Sequence, residues 1–396
     1  MRCTWGLKYM GNKKHTEAGS NMAITRRVFG SGLVAVALAG CSGGAATTVA
    51  STRPAGLPAD LRPVPNPAYD AWVASFRSRA AGQGISQSTL DAAFRGAGYL
   101  PGVVTRDRNQ TEFKRSLEDY LSIATSDERV SKGRAAFARH RGLLTALESQ
   151  YGVDAEIIAA IWGLESFYGE RRGQVPVISA TSTLAFDGRR GRFFEQQLVA
   201  ALRILQNGDI PASRMTGSWA GAMGHTQFIP TSYLQFAVDH TGDGRRDIWS
   251  EDPSDALASA AAYLARNGWQ RGVGWGGESS SGSLQPQPGG PRFATTANFR
   301  VIKRYNNSDA YAVGVGHLAD RIAGGGPLRA QFPPDANGLT KADRIRLQQR
   351  LTARGVDTGG ADGVIGSNTE TAIRAYQASR GLPVTGEPSQ ALLQSL

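Results

Sequence analysis

The sequence predicts a mainly α-helical chain with two folded units, and three observations lead there. Apolar residues recur at three- and four-residue spacing through most of the region from Tyr69 to Gln270. A break at 325–337, with three prolines and two glycines, precedes a second, shorter helical stretch. Both cysteines, Cys3 and Cys41, lie near the start, so no disulfide staples the body and readings built on thiol chemistry or cysteine-bound metal fall away. At 396 residues with 41% hydrophobic content, the chain is long enough for two or three domains.

The formal net charge is +11, but six Lys/Arg and one acid fall in residues 1–40, leaving 38 basic against 32 acidic residues, or +6, for the rest. A mild excess of this kind draws a protein toward anionic polymers without choosing among them. The basic residues are dispersed along the chain, which argues against nucleic-acid binding.

Residues 1–41 read as an address. From Met22 the chain runs "MAITRRVFGSGLVAVALAGCSGG", with two arginines, a short apolar run and then small residues. The run is too short to span a bilayer, which takes roughly 20 apolar residues. Thr25–Phe29 resembles a twin-arginine export signal and Leu38–Cys41 resembles a bacterial lipobox, which implies a lipidated Cys41 as the first mature residue. Ser42 after it resembles the pattern for outer-membrane sorting, hence a periplasmic, lipid-anchored protein of a Gram-negative cell. Residues 42–67, rich in Gly, Ala, Thr and Pro, read as a flexible tether.

Helical periods then follow in order: "AYDAWVASFRSRAA", "SQSTLDAAFRGA", "QTEFKRSLEDYLSI", "GRAAFARHRGLLTALESQYG", "DAEIIAAIWGLESFYG", "RFFEQQLVAALRILQNG" and "PSDALASAAAYLARNGW". Asp154 starts the fifth of these and Gly169 stops it. Residues 271–292 are punctuated by Gly, Ser and Pro and read as a loop or small lobe. "FRVIKRYNNSDAYAVGVGHLADRIAGG" reads as a short β-prone segment followed by a helix that packs back on the domain. The expected organisation is a catalytic-type domain over 68–325, a linker over 326–337 and a small three-helix domain over 338–396.

Glu165 lies near the end of the most apolar helix, beside Trp162 and Phe167. The carbonyl end of a helix and apolar neighbours both disfavour a negative charge, so its pKa is expected to rise into the range a general acid needs. A glycosidase ordinarily needs a second carboxylate, and no obvious one accompanies it. A second segment, "GSWAGAMGHTQFIPTSY" over Gly217–Tyr233, is glycine-rich and poor in charge, as suits a wall where backbone approaches a ligand. Ser218, Gln227 and Tyr233 offer neutral hydrogen-bonding groups there, and His225 reads as a wall residue of the cleft.

"GLESFYG", "GSWAGAMGHTQFIPTSY", "DHTGDGRRDIWSEDPSDA" and "KRYNNSDAYA", in that order over residues 65–325, resemble the membrane-bound lytic transglycosylase B family, glycoside hydrolase family 103. The resemblance implies a lysozyme-like α+β catalytic domain. It also implies that Glu165 alone protonates the oxygen linking N-acetylmuramic acid to N-acetylglucosamine in peptidoglycan. The substrate's acetamido group then stands in for the missing carboxylate, and Glu165 takes the proton of the muramyl 6-hydroxyl as a 1,6-anhydro ring closes. By the same matching, Ser218 orients Glu165 or the acetamido group, while Gln227, Phe228, Tyr305, Asn306 and Tyr120 line sugar subsites.

Asp239, Thr241 and Asp243, with the carbonyl of Arg245, fall at positions one, three, five and seven around Gly244, the alternation a hard cation requires. Position twelve is Ser250, where the standard loop has Glu. The resemblance implies that Asp255 closes the loop around a structural Ca2+; the other reading is an acidic turn capping a helix.

In 338–396, Leu347, Leu351, Ile373, Tyr376, Leu382 and Leu392 are expected to form the core, and "ADGVIGSNTETAIRAYQ" resembles the peptidoglycan-binding domain appended to many wall hydrolases. Its expected role is targeting through a second weak contact; a dimerisation module is the other reading. A monomer bound to peptidoglycan is the expectation for the whole chain. Two rival functions stay open: a muramidase that hydrolyses the same bond with water, and a wall-binding lipoprotein without activity.

Overall fold

The structure, a computed structural model, describes residues 56–109 and 116–396. The signal region with Cys41 and most of the tether lie outside the described residues. Helices α1 (Pro67–Ala81), α2 (Gln87–Phe94), α3 (Pro101–Arg108), α4 (Leu117–Ala124), α5 (Asp127–Arg139), α6 (Arg141–Tyr151) and α7 (Ala155–Ser166) lead to strand β1 (Val175–Pro176). Then come α8 (Val177–Asp187), α9 (Gly191–Gln206), β2 (Thr216–Gly217), α10 (Pro230–Phe236) and α11 (Ser254–Arg266). Strands β3 (Gly276–Glu278) and β4 (Phe293–Thr295), then α12 (Ala297–Tyr305) and α13 (Asp309–Ile322), complete the larger domain. The strands form two antiparallel pairs, β1 with β2 (Val175 opposite Gly217) and β3 with β4 (Gly276 opposite Thr295). The architecture is mainly α with small β additions, as expected.

Helix α7 is the axis of this domain. From Ala155 to Ser166 every residue but Glu156 is buried, which its apolar composition on all sides requires. Helices α5, α6, α11 and α13 pack around it. One consequence is that the chain end carrying Glu165 is fixed by neighbours on every side.

Three readings are corrected. "GRAAFARHRGLLTALESQYG" is not one helix: His140 leaves helical geometry, at φ −106° and ψ 19°, and serves as the C-cap of α5 and the N-cap of α6. "FRVIKRY" is helical rather than β-prone, because the Thr296 side chain caps Asn298 and Phe299, Ile302 and Tyr305 bury one face at three-residue spacing. Helix α8, "VISATSTLAFD", gave no amphipathic period because it is buried from Val177 to Ala185.

The C-terminal domain has its own core of Leu339, Leu347, Leu351, Ile373, Tyr376, Leu392 and Leu393. It is built from α14 (Lys341–Ala353), α15 (Ser367–Ser379) and α16 (Gln390–Ser395), and α14 starts with a capping box in which Thr340 and Asp343 satisfy each other's backbone amides. Leu382 is 40% exposed and outside the core, since the turn after α15 carries it to the surface.

Candidate active site

Helix α7 ends sooner than Gly169. Phe167 and Tyr168, at φ 54° and 59°, turn into the left-handed region, their amides closing on the carbonyls of Gly163 and Trp162. Left-handed geometry is costly for such residues and persists only where the surroundings impose it. Two features do so. The Tyr168 ring lies against Gly163, where a Cβ would sit 2.5 Å from it, and Ser166 Oγ donates to the His225 carbonyl at 2.6 Å while accepting from the Gly169 amide.

The glycine-rich segment is held against that helix end. The Trp162 indole N–H donates to His225 Nδ1 at 3.0 Å, so His225 carries its proton on Nε2 and donates it to the Ser250 carbonyl at 2.7 Å. Burial pushes the His225 pKa down to about 4, which keeps the ring neutral. His225 therefore belongs to the wall, as expected, and its role is to fix the wall to α7.

The third segment comes from the α12–α13 junction. Tyr305 Oη donates to the Thr226 carbonyl at 2.6 Å, and Tyr311 Oη donates to Glu165 Oε1 at 2.7 Å. Tyr311 is fully buried, and burial first and the Glu165 charge second push its pKa well up, so it stays a proton donor. Glu165 is 3% exposed.

The predicted binding residues divide into two groups. Ser218 and Gln227 are buried at the wall. Ser218 Oγ accepts from the amides of Ala220 and Ala222, which leaves its single proton to donate. Gln227, at φ 50°, gives its amide nitrogen to the carbonyls of Arg172 and Gly224, while its Oε1 is buried with no protein partner. Asn306 Oδ1 is likewise buried and unpaired. A buried acceptor left unpaired costs about 1–3 kcal/mol, and a sugar hydroxyl or acetamido N–H would relieve it. Phe228 and Tyr305 are both 0% exposed, and both rings pack with Tyr263. Tyr120 is half-buried, its ring against Gly314, where a Cβ would sit 2.8 Å away. Tyr311 was missed; its place on the buried face of α13 with Val315 and Leu318 called for a partner to its hydroxyl.

Among the described residues four further carboxylates are buried, and each is committed. Asp107 is paired with Arg189 and Arg190, Asp209 with Arg246, and Asp343 with Thr340 and Arg346. Asp255 accepts the amides of His240 and Thr241 on Oδ1 and of Asp247 on Oδ2. Two cavities, of about 710 Å³ beside α9 and about 380 Å³ beside the β1–β2 pair, lie away from Glu165, which lines neither.

The Asp239 turn was the candidate cation site. Its donors are all oxygen, which fits a hard cation in kind, and Gly242 and Gly244 take the left-handed geometry the turn needs. Asp239 accepts the amides of Gly242 and Gly244 at 2.7 and 2.8 Å, and Asp243 accepts that of Arg245 at 2.9 Å. Among the described residues no three His, Cys, Asp or Glu side chains group as a metal site. Asp255 as placed staples the turn to α11 through amides.

The fold has counterparts in known proteins. Residues 68–284 and 278–320 match the transglycosylase SLT domain family, and residues 340–396 match a peptidoglycan binding domain family. The chain belongs to the lytic transglycosylases. It is 30% identical over 242 residues to the membrane-bound lytic murein transglycosylase B of Escherichia coli K12, a match covering 52% of this chain and 66% of that one. The structure of SltB3 from Pseudomonas aeruginosa in complex with NAG-anhNAM-pentapeptide is similar at 43% identity and a TM-score of 0.64, covering 83% of this chain and 99% of that one. The Escherichia coli lytic transglycosylase Slt35 in complex with calcium is similar at 26% identity and a TM-score of 0.55, over 65% of this chain and 93% of that one. This lytic transglycosylase is thus a peptidoglycan-cleaving enzyme with an appended wall-binding domain. Among the described residues no helix is long and apolar enough to cross a membrane.

Proposed function

We propose that the enzyme cleaves the β-1,4 bond between N-acetylmuramic acid and N-acetylglucosamine without water, leaving 1,6-anhydromuramic acid ends, and that Glu165 is its general acid and then its general base. The observation that supports this reading is that, among the described residues, no second buried carboxylate is left to act beside Glu165: Asp107, Asp209, Asp255 and Asp343 are each held by a cation, a hydroxyl or backbone amides. A hydrolase of the usual kind needs a second carboxylate to activate water or attack the sugar. In the proposed sequence the Glu165 proton passes to the leaving glycosidic oxygen, and the acetamido oxygen stabilises the developing positive centre. The carboxylate next removes the proton of the 6-hydroxyl as that oxygen bonds to C1. Tyr311 donates to Glu165 throughout, and Ser218, Gln227 and Asn306 present donors and acceptors to the sugar.

The test is digestion of purified sacculi by the protein and by Glu165→Gln, with released muropeptides weighed by mass spectrometry. Anhydro products from the first and none from the second are expected; reducing ends would identify a muramidase, and retained binding without products a wall-binding protein.

Two finer proposals accompany this one. The lipobox-like Leu38–Cys41 supports anchoring of the mature enzyme by a lipid at Cys41 on the periplasmic face of the outer membrane; radiolabelled palmitate incorporated by the natural chain and not by Cys41→Ala is the expected result. The oxygen-only donors of the Asp239 turn, with the Slt35 structure in complex with calcium, support uptake of a hard divalent cation by Asp239, Thr241, Asp243 and the Arg245 carbonyl. Asp255 would have to release its amides to join them. A rise of several degrees in the unfolding midpoint with Ca2+ over chelator is expected, whereas no shift and no heat of binding would leave a turn held by amides alone.

A further inference from the structure

The segment joining the two domains was expected to be a linker, and it is instead fastened down. The Glu278 carboxylate accepts the amides of Arg329 and Ala330 at 2.9 and 2.6 Å. Leu328 and Phe332 pack on the core of the larger domain, and the Phe332 ring lies against Gly290. Beyond it Arg344, on α14 of the C-terminal domain and only 3% exposed, reaches across the boundary. Its Nη2 meets Glu118 at 2.6 Å and Asp119 at 3.1 Å, both on α4 of the larger domain, and its Nη1 meets Asp335 of the joining segment at 3.2 Å. Its Nε and Nη1 also donate to the carbonyls of Gly363 and Leu339 within its own domain. One buried guanidinium thereby holds three carboxylates from two other parts of the chain, a use suited to its fixed planar fork of donors. The amide of Glu118 is itself held by Gln287 Oε1 at 3.1 Å.

The place of this contact matters. The residue after Asp119 is Tyr120, whose ring packs on α13, and α13 carries the Tyr311 that holds Glu165. We propose that Arg344 is a positioning residue: it registers the wall-binding domain on the Tyr120 helix, so that polymer gripped by the small domain meets the cleft in one orientation. A loosely tethered domain would only raise the local concentration of enzyme at the wall. A registered one also selects which bond is presented. The inference rests on the reading of the larger domain as a wall-cleaving enzyme, but its structural half does not.

The test compares the natural chain with Arg344→Ala and with Glu118→Gln/Asp119→Asn. The second variant breaks the contact from the far side and leaves Arg344 to its own domain, should the first fail to fold. Solution X-ray scattering reads whether the domains separate. Sedimentation with sacculi reads wall binding, and turnover is measured on sacculi and on a soluble tetrasaccharide-pentapeptide fragment. The expected result is a larger radius of gyration, wall binding and soluble-fragment turnover within about twofold of the natural chain, and kcat on sacculi lowered about tenfold. Unchanged scattering would show that Arg344 does not hold the domains. Separated domains with undiminished sacculus turnover would reduce the contact to a structural one, and an equal loss on the soluble fragment would place its action in the cleft itself. If the natural chain cleaves neither substrate, the enzymatic reading fails while the scattering result still judges the contact.

Discussion

Glu165 at the end of α7 and Asp255 in the first turn of α11 are equally hidden, at 3% exposure each, and a side chain donates to the first where backbone amides donate to the second. Asp255 accepts three backbone amides, one oxygen taking two and the other one. Its work is to tie a loop to a helix. The bond shown for Glu165 comes from one neutral phenol. General acid and base chemistry asks a carboxyl both to give and to take a proton. Burial alone therefore does not mark a catalytic acid.

The largest expected effect separates the two residues outright. Glu165→Gln should lower muropeptide release by about 10³-fold or more, in the range of lost general acid and base catalysis, with the unfolding midpoint within a few degrees of the natural chain. A comparable loss from Asp255→Asn, per folded molecule, would break the comparison.

Acid should also destabilise the fold through two buried histidines. His225 and His317 are held neutral by burial, each pushed down to about 4 from an ordinary value of 6.5. Their folded pKa lies below the unfolded one, so the stability they contribute is present above pH 6.5 and is lost as pH falls toward 4. At about 1.4 kcal/mol per unit, each accounts for up to about 3 kcal/mol by pH 4, read as falling denaturant midpoints. His317→Asn should flatten that slope; an unchanged slope would contradict the assignment.

Tyr311→Phe is expected to lower turnover about tenfold. Removing a donor to the ionised carboxyl favours its protonated form, so the alkaline limb of the pH–rate profile, where the general acid loses its proton, should move to higher pH. A lower rate with an unmoved profile would mean that the phenol acts only through packing. The smallest effect is the stability change of Asp255→Asn, about 1–3 kcal/mol for amides left without their acceptor, measured by urea unfolding with kcat unchanged.

What was legible in the sequence follows from the same physics. Helices with one apolar face, such as α9 and α11, announce themselves by period, and α7 by its unbroken apolar run. Helix α8 could not, because burial all round erases the period. Glu165, Ser218 and Gln227 stood out as unusual residues in ordered motifs, and the structure buries all three at the ends of segments that short hydrogen bonds draw together. Tyr311 was in a quoted motif yet unassigned, since only the packing of α13 on α7 brings its hydroxyl to Glu165. Phe228 and Tyr305 were read as subsite residues from motif matching, and the stacking of Tyr305 on Tyr311 is a tertiary contact that no sequence pattern shows. The Arg344 contact spans 226 residues of chain to Glu118, and no local pattern encodes such a pairing.

The central claim is that Glu165 works without a partner carboxylate and without water. It is tested most directly by digesting sacculi in water enriched in oxygen-18 and weighing the new glycan ends. The account predicts anhydro ends that carry no label; reducing ends carrying one oxygen-18 would contradict it.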